Sequence, residues 1–331
     1  MDNYKKFKAM LVEEDDGNFN IKIDEKTIND LPSGDVLIRV KYSSLNYKDA
    51  LSATGNKGVT RKYPHTPGID AAGVVEESSV NDFIIGDEVI VTGFDLGMNT
   101  SGGFGEYIRV PKEWIVKLPK GLSLKESMIF GTAGFTAALA LEKLEGNGLK
   151  KSEGEVLVTG ATGGVGSLAV TILSKAGYNV AAATGKIDKE NFLKSIGAKK
   201  ILKREDADNS SSKALLKTKW DAVIDTVGGN ILATSIKSTK YNGSVATCGL
   251  TQSPILNSTV YPFILRGVNL LGIDSAHCEM DLRFKIWNKL SAEWKPDNLN
   301  LIYQECSLEE LKSKVDLILN GKITGRIVVI H

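Results

Sequence analysis

The spacing of apolar and polar positions changes near residue 122. Up to about Lys120, short apolar runs are separated by turns that contain Gly or Pro, a pattern typical of antiparallel β structure. Examples are DVLIRVKYSSL (35–45), AAGVVEE (71–77) and GDEVIVTG (86–93). The pattern predicts a mostly antiparallel, barrel-like β domain.

From Leu122 onward, apolar strands alternate with helical patterns. Ser123 and Glu126 have the spacing of a capping box, which predicts the start of a helix. The predicted strands that follow are EVLVT (155–159), NVAAAT (179–184), KKIL (199–202), DAVIDTV (221–227), GSVATCG (243–249) and NLLGIDS (269–275). This alternation predicts a doubly wound parallel sheet.

A last helix (307–321) and a strand ending at His331 complete the chain. We predict that they return to the β domain. The predicted fold class is therefore α/β in two domains. Residues 1–124 and 275–331 form the β domain, and residues 125–274 form the dinucleotide-binding domain.

Composition narrows the possible functions. The 331 residues are enough for about two domains, and 42% of them are apolar, 24% are charged and the net charge is +1. Proteins that bind nucleic acids or membranes usually carry a clustered excess of Lys and Arg, so the net charge of +1 argues against either as the main partner. The three cysteines, Cys248, Cys278 and Cys306, do not have disulfide-framework or zinc-motif spacing. With no signal-peptide pattern, we expect a cytoplasmic protein with a small-molecule partner.

The glycine-rich segment TGATGGVGS (159–167) lies between a predicted strand and a predicted helix. Ala161, Gly163 and Gly166 occupy the three positions of the dinucleotide fingerprint, while Gly160 and Gly164 add conformational freedom. The alternative is a plain strand–helix turn. We favour a pyrophosphate site, because unpaired N–H groups at a helix start bind phosphates. Its predicted contacts are Thr162, Gly163, Gly164 and Val165.

The end of the second predicted strand distinguishes NADPH from NADH. An NAD-binding unit carries an acidic residue there to bind the ribose 2′-hydroxyl. Here the strand ends with Thr184, Gly185 and Lys186, and the nearest acid is Asp188. A cation without an adjacent carboxylate favours the 2′-phosphate of NADPH.

Several long motifs together resemble the medium-chain dehydrogenase/reductase family. They are SSLNYKDAL (43–51), PGIDAAG (67–73), GTAGFTA (131–137), TGATGGVGS, IDTVGG (224–229) and TVYPFILRGVNLLGIDS (259–275). The resemblance covers nearly the whole chain. It is strongest to the zinc-independent branch with acryloyl-CoA reductases and quinone oxidoreductases, and implies a GroES-like β domain plus a Rossmann domain.

The resemblance also implies further cofactor contacts. It places Arg204 in the same 2′-phosphate pocket as Lys186. The other implied contacts are Tyr47, Thr132, Thr136, Leu250, Ile264, Ser275 and Arg326, the last of them reaching across the cleft between the domains. Each of these residues has an alternative interpretation as a core, capping or surface group.

Zinc-dependent relatives bind the metal with a Cys and a Gly-His-Glu triplet. At the corresponding places this chain has Asn46 and Gly68-Ile69-Asp70. Asn and Ile do not replace a thiolate and an imidazole on zinc. His65, His277 and His331 are scattered along the chain. We therefore expect no metal.

Without a Lewis acid, reduction of an activated C=C bond fits better than reduction of a simple ketone. Negative charge then develops on a thioester or quinone oxygen and requires hydrogen-bond donors. By resemblance, LNYKDAL lines the cleft. We predict catalytic roles for Asn46 and Tyr47 as donors and for Asp49 in orienting them, against the alternative of buried structural residues.

Three functions remain open after this reasoning. The first is an NADPH-dependent reductase of acryloyl-CoA or a related enoyl thioester or enone. The second is an NADPH:quinone oxidoreductase, and the third is a non-enzymatic NADPH-binding protein. A short-chain dehydrogenase is rejected, because the Tyr-x-x-x-Lys spacing occurs only at Tyr4 and Lys8, far upstream of the glycine loop.

Two surface features have open interpretations. Lys57, Arg61 and Lys62 form a basic turn that either is simply solvated or binds CoA phosphates. The apolar strand NLLGID, if it lies at the sheet edge, predicts a homodimer through strand pairing.

Overall fold

The computed structural model describes residues 5–151 and 154–331, and the chain divides into two compact units. The first unit contains the chain up to Thr132, Ala276–Phe284 and Tyr303–His331. The second contains Ala133–Ser275 and Lys285–Ile302.

This division differs from the sequence-based one in two segments. Residues 125–132, predicted in the dinucleotide-binding domain, belong to the first unit. The other segment, residues 285–302, is predicted in the β domain. In the structure this segment belongs to the second unit. Trp287 stacks on Phe135 with ring centroids 6.0 Å apart, and Lys289 pairs with Glu142 at 2.9 Å. Aromatic burial and an ion pair therefore attach the segment to the second unit.

The elements have the following bounds. The strands are β1 (Lys6–Asp15), β2 (Asn18–Thr27), β3 (Val36–Leu45), β4 (Asp70–Ser78), β5 (Glu88–Thr92), β6 (Tyr107–Val110), β7 (Ile115–Lys117), β8 (Glu155–Val158), β9 (Asn179–Thr184), β10 (Lys200–Lys203), β11 (Trp220–Asp225), β12 (Thr239–Thr247), β13 (Asn269–Gly272), β14 (Tyr303–Ser307) and β15 (Arg326–Ile330). The helices are α1 (Tyr47–Ala53), α2 (Leu124–Gly146), α3 (Gly164–Lys175), α4 (Glu190–Ser195), α5 (Gly229–Ser238), α6 (Tyr261–Arg266), α7 (Met280–Ser291) and α8 (Leu311–Leu319).

The first unit is built on a mixed sheet in the order β14-β15-β3-β4-β5-β7, with β6 also paired to β3 and a separate β1–β2 hairpin. Apart from the parallel pair β14–β15, the neighbours are antiparallel. Strand β3 is mostly buried because it pairs with three neighbours, and its apolar sequence VLIRVKYSSL suits that position. Helix α1 begins two residues after its last residue, Leu45, which places Asn46 at the strand end.

The second unit has a six-stranded parallel sheet in the order β10-β9-β8-β11-β12-β13. This arrangement confirms the predicted doubly wound sheet. Strands β8 and β9 are neighbours, with Val158 opposite Ala182. The loops at their carboxyl ends therefore lie side by side, as expected of a nucleotide site in such sheets.

The start and the interruption of α2 follow from its sequence. The capping box is confirmed, since Ser123 N donates to Glu126 Oε2 at 2.9 Å and Glu126 N donates to Ser123 Oγ at 3.2 Å. Gly131 then interrupts the helix with a φ of +50°. A Cβ there would lie 2.4 Å from Asp70 Oδ2 and 2.5 Å from Ser44 Oγ, so only glycine fits.

Among the described residues, no helix is both long and apolar enough to cross a membrane.

Candidate active site

The carboxyl end of β3 carries a buried polar network within the first unit. Its members are Ser44, Asn46, Asp49, Asp70, Thr132 and Arg326.

Asp49 fixes the start of α1. Its Oδ2 accepts a hydrogen bond from Asn46 N at 2.7 Å, and its Oδ1 accepts one from Ile69 N at 2.8 Å. Asn46 and Asp49 thus form a reciprocal capping box. Asp49 is fully buried. It contacts the backbone of Asn46 and does not face solvent, and its predicted role in orienting Asn46 or Tyr47 for catalysis stays a prediction.

Asn46 has its side chain fully occupied by the network. Its Nδ2 donates to Asp70 Oδ2 at 2.7 Å and to Ser44 O at 3.3 Å, and its Oδ1 accepts from Arg326 Nη1 at 3.1 Å. A bond from Nδ2 to a substrate oxygen would have to replace one of these two bonds, to Ser44 O or to Asp70 Oδ2. In the structure the Asn46 side chain thus bonds protein groups, and its predicted role as a catalytic donor stays a prediction.

Asp70 is the centre of the network. From the sequence it is noted only as part of Gly68-Ile69-Asp70, the triplet at the place of the zinc ligands in zinc-dependent relatives. Its carboxylate accepts from Ser44 Oγ at 2.6 Å, from Thr132 N at 2.9 Å and from Thr132 Oγ1 at 2.5 Å. The predicted cofactor residue Thr132 is thus held through both its backbone and its hydroxyl. Ser44 and Asp70 lie in the motifs SSLNYKDAL and PGIDAAG, which were the available sequence signal.

Arg326 supplies the positive charge of the network. Only 3% exposed, it donates to Ile129 O, Leu45 O, Asn46 Oδ1 and Ser44 Oγ, and its Nη2 lies 3.7 Å from Asp70 Oδ2. The guanidinium of Arg326 thus bonds groups of the first unit, and its contact with a cofactor stays a prediction.

Burial of these charges shifts their ionisation. Burial, and then the nearby Asp70 carboxylate, raise the pKa of Asp49 to about 7, against the opposing effect of two backbone donors. Burial also lowers the pKa of Arg326, while Asp70 and Asp49 act in the opposite direction. Arginine nevertheless stays charged in proteins. The network therefore pairs the Asp70 carboxylate with a permanent cation, while burial favours the protonated form of Asp49.

Tyr47 differs from every member of the network because it faces solvent. As the first residue of α1, it is 43% exposed. Its hydroxyl has no hydrogen-bond partner within the part of the chain that the structure describes. Tyr47 is thus the predicted catalytic residue whose donor remains available to a ligand.

The residues at the family's zinc position do not fit a metal. Ile69 has no ligand atom, Asn46 has committed its polar atoms, and Asp70 already accepts four hydrogen bonds. In residues 5–151 and 154–331, no three His, Cys, Asp or Glu side chains are grouped to hold a metal ion.

In the second unit, the nucleotide loop (residues 159–165) connects β8 to α3. Gly160 has a φ of +60°, so the left-handed turn falls on the glycine that the sequence analysis considered merely permissive. A Cβ at Gly166 would lie 2.2 Å from Gly160 O, which explains the glycine at the helix–strand contact. Gly163 caps α3, and Gly163, Gly164 and Val165 are partly exposed. The first N–H groups of a helix lack intrahelical acceptors, so this loop fits a pyrophosphate.

The predicted 2′-phosphate residues lie beside this loop. Thr162 Oγ1 is 3.1 Å from Thr184 Oγ1, which also accepts from Lys186 N at 3.0 Å. The exposed Arg204 guanidinium lies against Gly185, since a Cβ there would be 2.7 Å from Arg204 Nη2. Burial lowers the pKa of Lys186. The structure thus brings these predicted residues together.

The remaining predicted cofactor contacts fall into two groups. Thr136 is buried, and its Oγ1 donates to Ser275 Oγ at 2.8 Å, so these two residues come together in the second unit. Leu250 and Ile264 are 61% and 68% exposed on the same unit. Their contact with a cofactor stays a prediction.

Comparison with known proteins agrees with this architecture. Residues 32–120 match the family model described as the alcohol dehydrogenase GroES-like domain, and residues 164–290 match the one described as zinc-binding dehydrogenase. A GroES-like domain joined to a Rossmann-type sheet defines a class of nicotinamide-dependent oxidoreductases.

Individual relatives cover nearly the entire chain. YhfP of Bacillus subtilis (strain 168), named among the quinone oxidoreductases, is 47% identical over 98% of both chains. Its crystal structure with NAD bound matches with a TM-score of 0.97, over 99% of this chain and 100% of that one. Acrylyl-CoA reductase AcuI of Ruegeria pomeroyi is 42% identical over 98% of both chains. The yhdH oxidoreductase of Salmonella enterica in complex with NADP is 42% identical, with a TM-score of 0.95 over 98% and 99%.

The chain belongs to the medium-chain dehydrogenase/reductase family.

Proposed function

We propose that this protein is an NADPH-dependent, zinc-independent oxidoreductase that reduces the C=C bond of acryloyl-CoA or a related enoyl thioester or enone. The observation that carries the proposal is the exposed hydroxyl of Tyr47. Tyr47 is the first residue of α1, and a buried network at the position of the family's zinc site fixes the start of this helix. The 42% identity to a named acrylyl-CoA reductase supports the substrate class.

NADPH fits the residues of the second unit. The partly exposed start of α3 suits the pyrophosphate, and Arg204 against Gly185 with Lys186 nearby suits the 2′-phosphate. When bound, the nicotinamide supplies the hydride. One relative was crystallised with NADP and another with NAD. Because relatives differ in this way, we base the choice of NADPH over NADH on Lys186 and Arg204.

In the first unit, we assign the chemistry to Tyr47 and the positioning to the network. Conjugate reduction places negative charge on the thioester oxygen and requires a proton at the α-carbon. The Tyr47 hydroxyl donates to that oxygen or supplies that proton. Asp49 fixes the first turn of α1, and Asp70 fixes Asn46, so the phenol does not depend on a mobile loop.

Quinone reduction is the second candidate, favoured by the 47% identity to YhfP. A quinone also accepts hydride and develops negative charge on an oxygen, so Tyr47 would serve it equally. The third candidate, a non-enzymatic NADPH-binding protein, leaves the exposed phenol without a role.

A screen of NADPH oxidation tests the assignment. Acryloyl-CoA, crotonyl-CoA, small enones and quinones are compared in the presence of a chelator, with the products identified by mass. We expect the saturated thioester as product and no loss of rate on chelation. Turnover of quinones alone would establish the second candidate, and absence of any turnover would establish the third. Activity abolished by chelation would contradict a zinc-independent reaction.

We also propose that the protein is a cytoplasmic homodimer. Strand β13 lies at the edge of the six-stranded sheet, where backbone groups are available for pairing. Leu270 on this strand and Tyr261, Ile264 and Leu265 before it are exposed apolar residues. Pairing of two β13 strands would cover such a surface. A monomer at micromolar concentration by light scattering would contradict the dimer.

A further inference from the structure

The structure distinguishes the cations of the basic turn (residues 57–62), which follows α1. Lys57 Nζ lies 2.5 Å from Glu14 Oε2 and 4.8 Å from the centre of the Tyr63 ring. An ion pair and a cation–π contact thus already satisfy this ammonium group. Lys57 is unsuited to binding a further anion.

Arg61 and Lys62 are in a different situation. Both are exposed, and no carboxylate within the described residues pairs with either side chain. Asn99, which accepts a hydrogen bond from Arg61 N, donates from its Nδ2 to Asp95 Oδ1 at 3.0 Å, and Asp95 Oδ2 also accepts from Thr100 Oγ1 at 2.9 Å. Two adjacent cations therefore remain available to an anionic ligand.

A chain of contacts links this turn to the start of α1. Lys48 Nζ, one residue after Tyr47, lies 4.0 Å from Met98 Sδ. The next residue, Asn99, accepts a hydrogen bond from Arg61 N at 3.3 Å. Helix α1 is only seven residues long, which corresponds to about 10 Å. The two available cations and the Tyr47 hydroxyl therefore lie in one region of the first unit.

We propose that Arg61 and Lys62 bind the phosphate groups of a CoA thioester while Tyr47 acts on its acyl end. This inference rests on the proposed function. CoA carries a pyrophosphate and a 3′-phosphate at the end of its long pantetheine arm, far from the reacting double bond. Arginine presents a planar fork that matches phosphate oxygens, and lysine adds a point charge. Quinones and small enones have no such group, so this pair determines selectivity for CoA thioesters.

The test removes the two charges and compares substrates with and without phosphates. The variant Arg61→Ala/Lys62→Ala is assayed with acryloyl-CoA, acryloyl-dephospho-CoA and the acryloyl thioester of N-acetylcysteamine, which has no phosphate. For two solvent-exposed charge–phosphate contacts we expect kcat/KM with acryloyl-CoA to fall about tenfold, mainly through KM. The rate with the N-acetylcysteamine thioester stays unchanged. The loss shrinks at high salt because exposed charges are screened.

Lys120→Ala/Lys322→Ala is the matched control, since it removes two exposed lysines from the same unit. We expect it to leave all three rates unchanged. The dephospho substrate identifies the phosphate, because a loss confined to acryloyl-CoA assigns the contact to the 3′-phosphate. A loss shared by both CoA substrates assigns it to the pyrophosphate.

Several outcomes would overturn the inference. An equal loss with the N-acetylcysteamine thioester would show that the pair supports the fold or the acyl end. An equal loss in the control would show that the effect comes from the net charge of the protein and not from a contact at Arg61 and Lys62. If the unmodified protein reduces the N-acetylcysteamine thioester and Arg61→Ala/Lys62→Ala loses nothing, only this inference fails. If the unmodified protein reduces no thioester, the proposed function fails with it.

Discussion

The carboxyl ends of β3 in the first unit and of β8 and β9 in the second both lead into polar sequence, but the two regions use their polar atoms differently. At the end of β3, Asp70 alone accepts four hydrogen bonds from neighbouring protein groups. At the end of β8, the start of α3 is partly exposed at Gly163, Gly164 and Val165. In the first region, called the closed region, polar groups bond one another. In the second, called the open region, the backbone at the helix start remains accessible to a ligand.

This contrast separates residues that position from residues that bind. Asn46 and Arg326 have side chains suited to catalysis or anion binding, but other protein groups already occupy them. Tyr47 and Arg204 are exposed, and their donors remain accessible. The residue type alone therefore does not tell whether a residue positions others or binds a ligand.

The closed region should be most sensitive to loss of its cation. Arg326→Met leaves the buried Asp70 carboxylate without its positive partner, which lies 3.7 Å away in the unmodified protein. We expect the free energy of unfolding at neutral pH to fall by about 3–5 kcal/mol, as measured by urea denaturation.

Arg61→Ala, which removes an exposed arginine from the same unit, is the control and should change stability by less than about 0.5 kcal/mol. A similarly small effect of Arg326→Met would mean that the network does not depend on its charge balance.

Tyr47→Phe tests the exposed donor next to the closed region. The change keeps the ring and removes only the hydroxyl, so we expect kcat to fall about 10²-fold. The dissociation constant for NADPH, followed by fluorescence, should change little. Tyr63→Phe is the control, because that hydroxyl donates to Ser52 O within the protein and should affect stability rather than kcat. An unchanged kcat in Tyr47→Phe would mean that water, and not Tyr47, supplies the proton.

Lys186→Ala/Arg204→Ala tests the open region. Losing two charge-assisted contacts of about 1.5 kcal/mol each should weaken NADPH binding about 10²-fold. NADH binding should hardly change, and the NADPH penalty should shrink at high salt. Direct binding measurements make the test independent of turnover.

Lys189→Ala/Lys194→Ala removes two nearby lysines that pair with Asp188 and Glu190, and it should leave both cofactors unaffected. Equal loss of NADPH and NADH in Lys186→Ala/Arg204→Ala would contradict phosphate recognition. An unmodified enzyme that prefers NADH would do the same.

The open region was the easier one to predict from sequence. Its signals are local: NVAAAT is a buried strand with the predicted bounds, and the glycine spacing directly reports backbone requirements. Even there, the left-handed turn falls on Gly160 rather than on the fingerprint position occupied by Ala161, because a regular spacing does not specify φ.

The closed region depends on contacts between residues far apart in the chain, which no spacing reveals. Arg326 lies 280 positions from Asn46, and Thr132 lies 62 positions from Asp70. The motifs around Asn46 and Asp70 marked them as important. Only the fold shows that the Arg326 cation donates a hydrogen bond to Asn46 and lies beside the Asp70 carboxylate.

The smallest expected effect, a slope of stability with pH, comes from Asp49 in the closed region. Its pKa is raised from 3.8 to about 7 in the folded protein. Between these values the unfolded chain has released the proton while the folded protein still holds it. The folded state then binds more protons, so stability falls as pH rises from about 4 to about 7. We expect Asp49 to contribute a decrease of at least about 1 kcal/mol over this range.

Asp49→Asn should remove this component of the slope, even though the variant is less stable throughout. An amide oxygen accepts from only one side, so one of the N–H groups of Asn46 and Ile69 loses its acceptor, at a cost of about 1–3 kcal/mol. Asp87→Asn is the opposite control, because Lys117 lowers the pKa of Asp87 and its small contribution is lost as pH falls. Urea unfolding at a series of pH values measures all three proteins. If wild type and Asp49→Asn have parallel profiles, Asp49 is ionised throughout this range, and the closed region stabilises two carboxylates with one arginine.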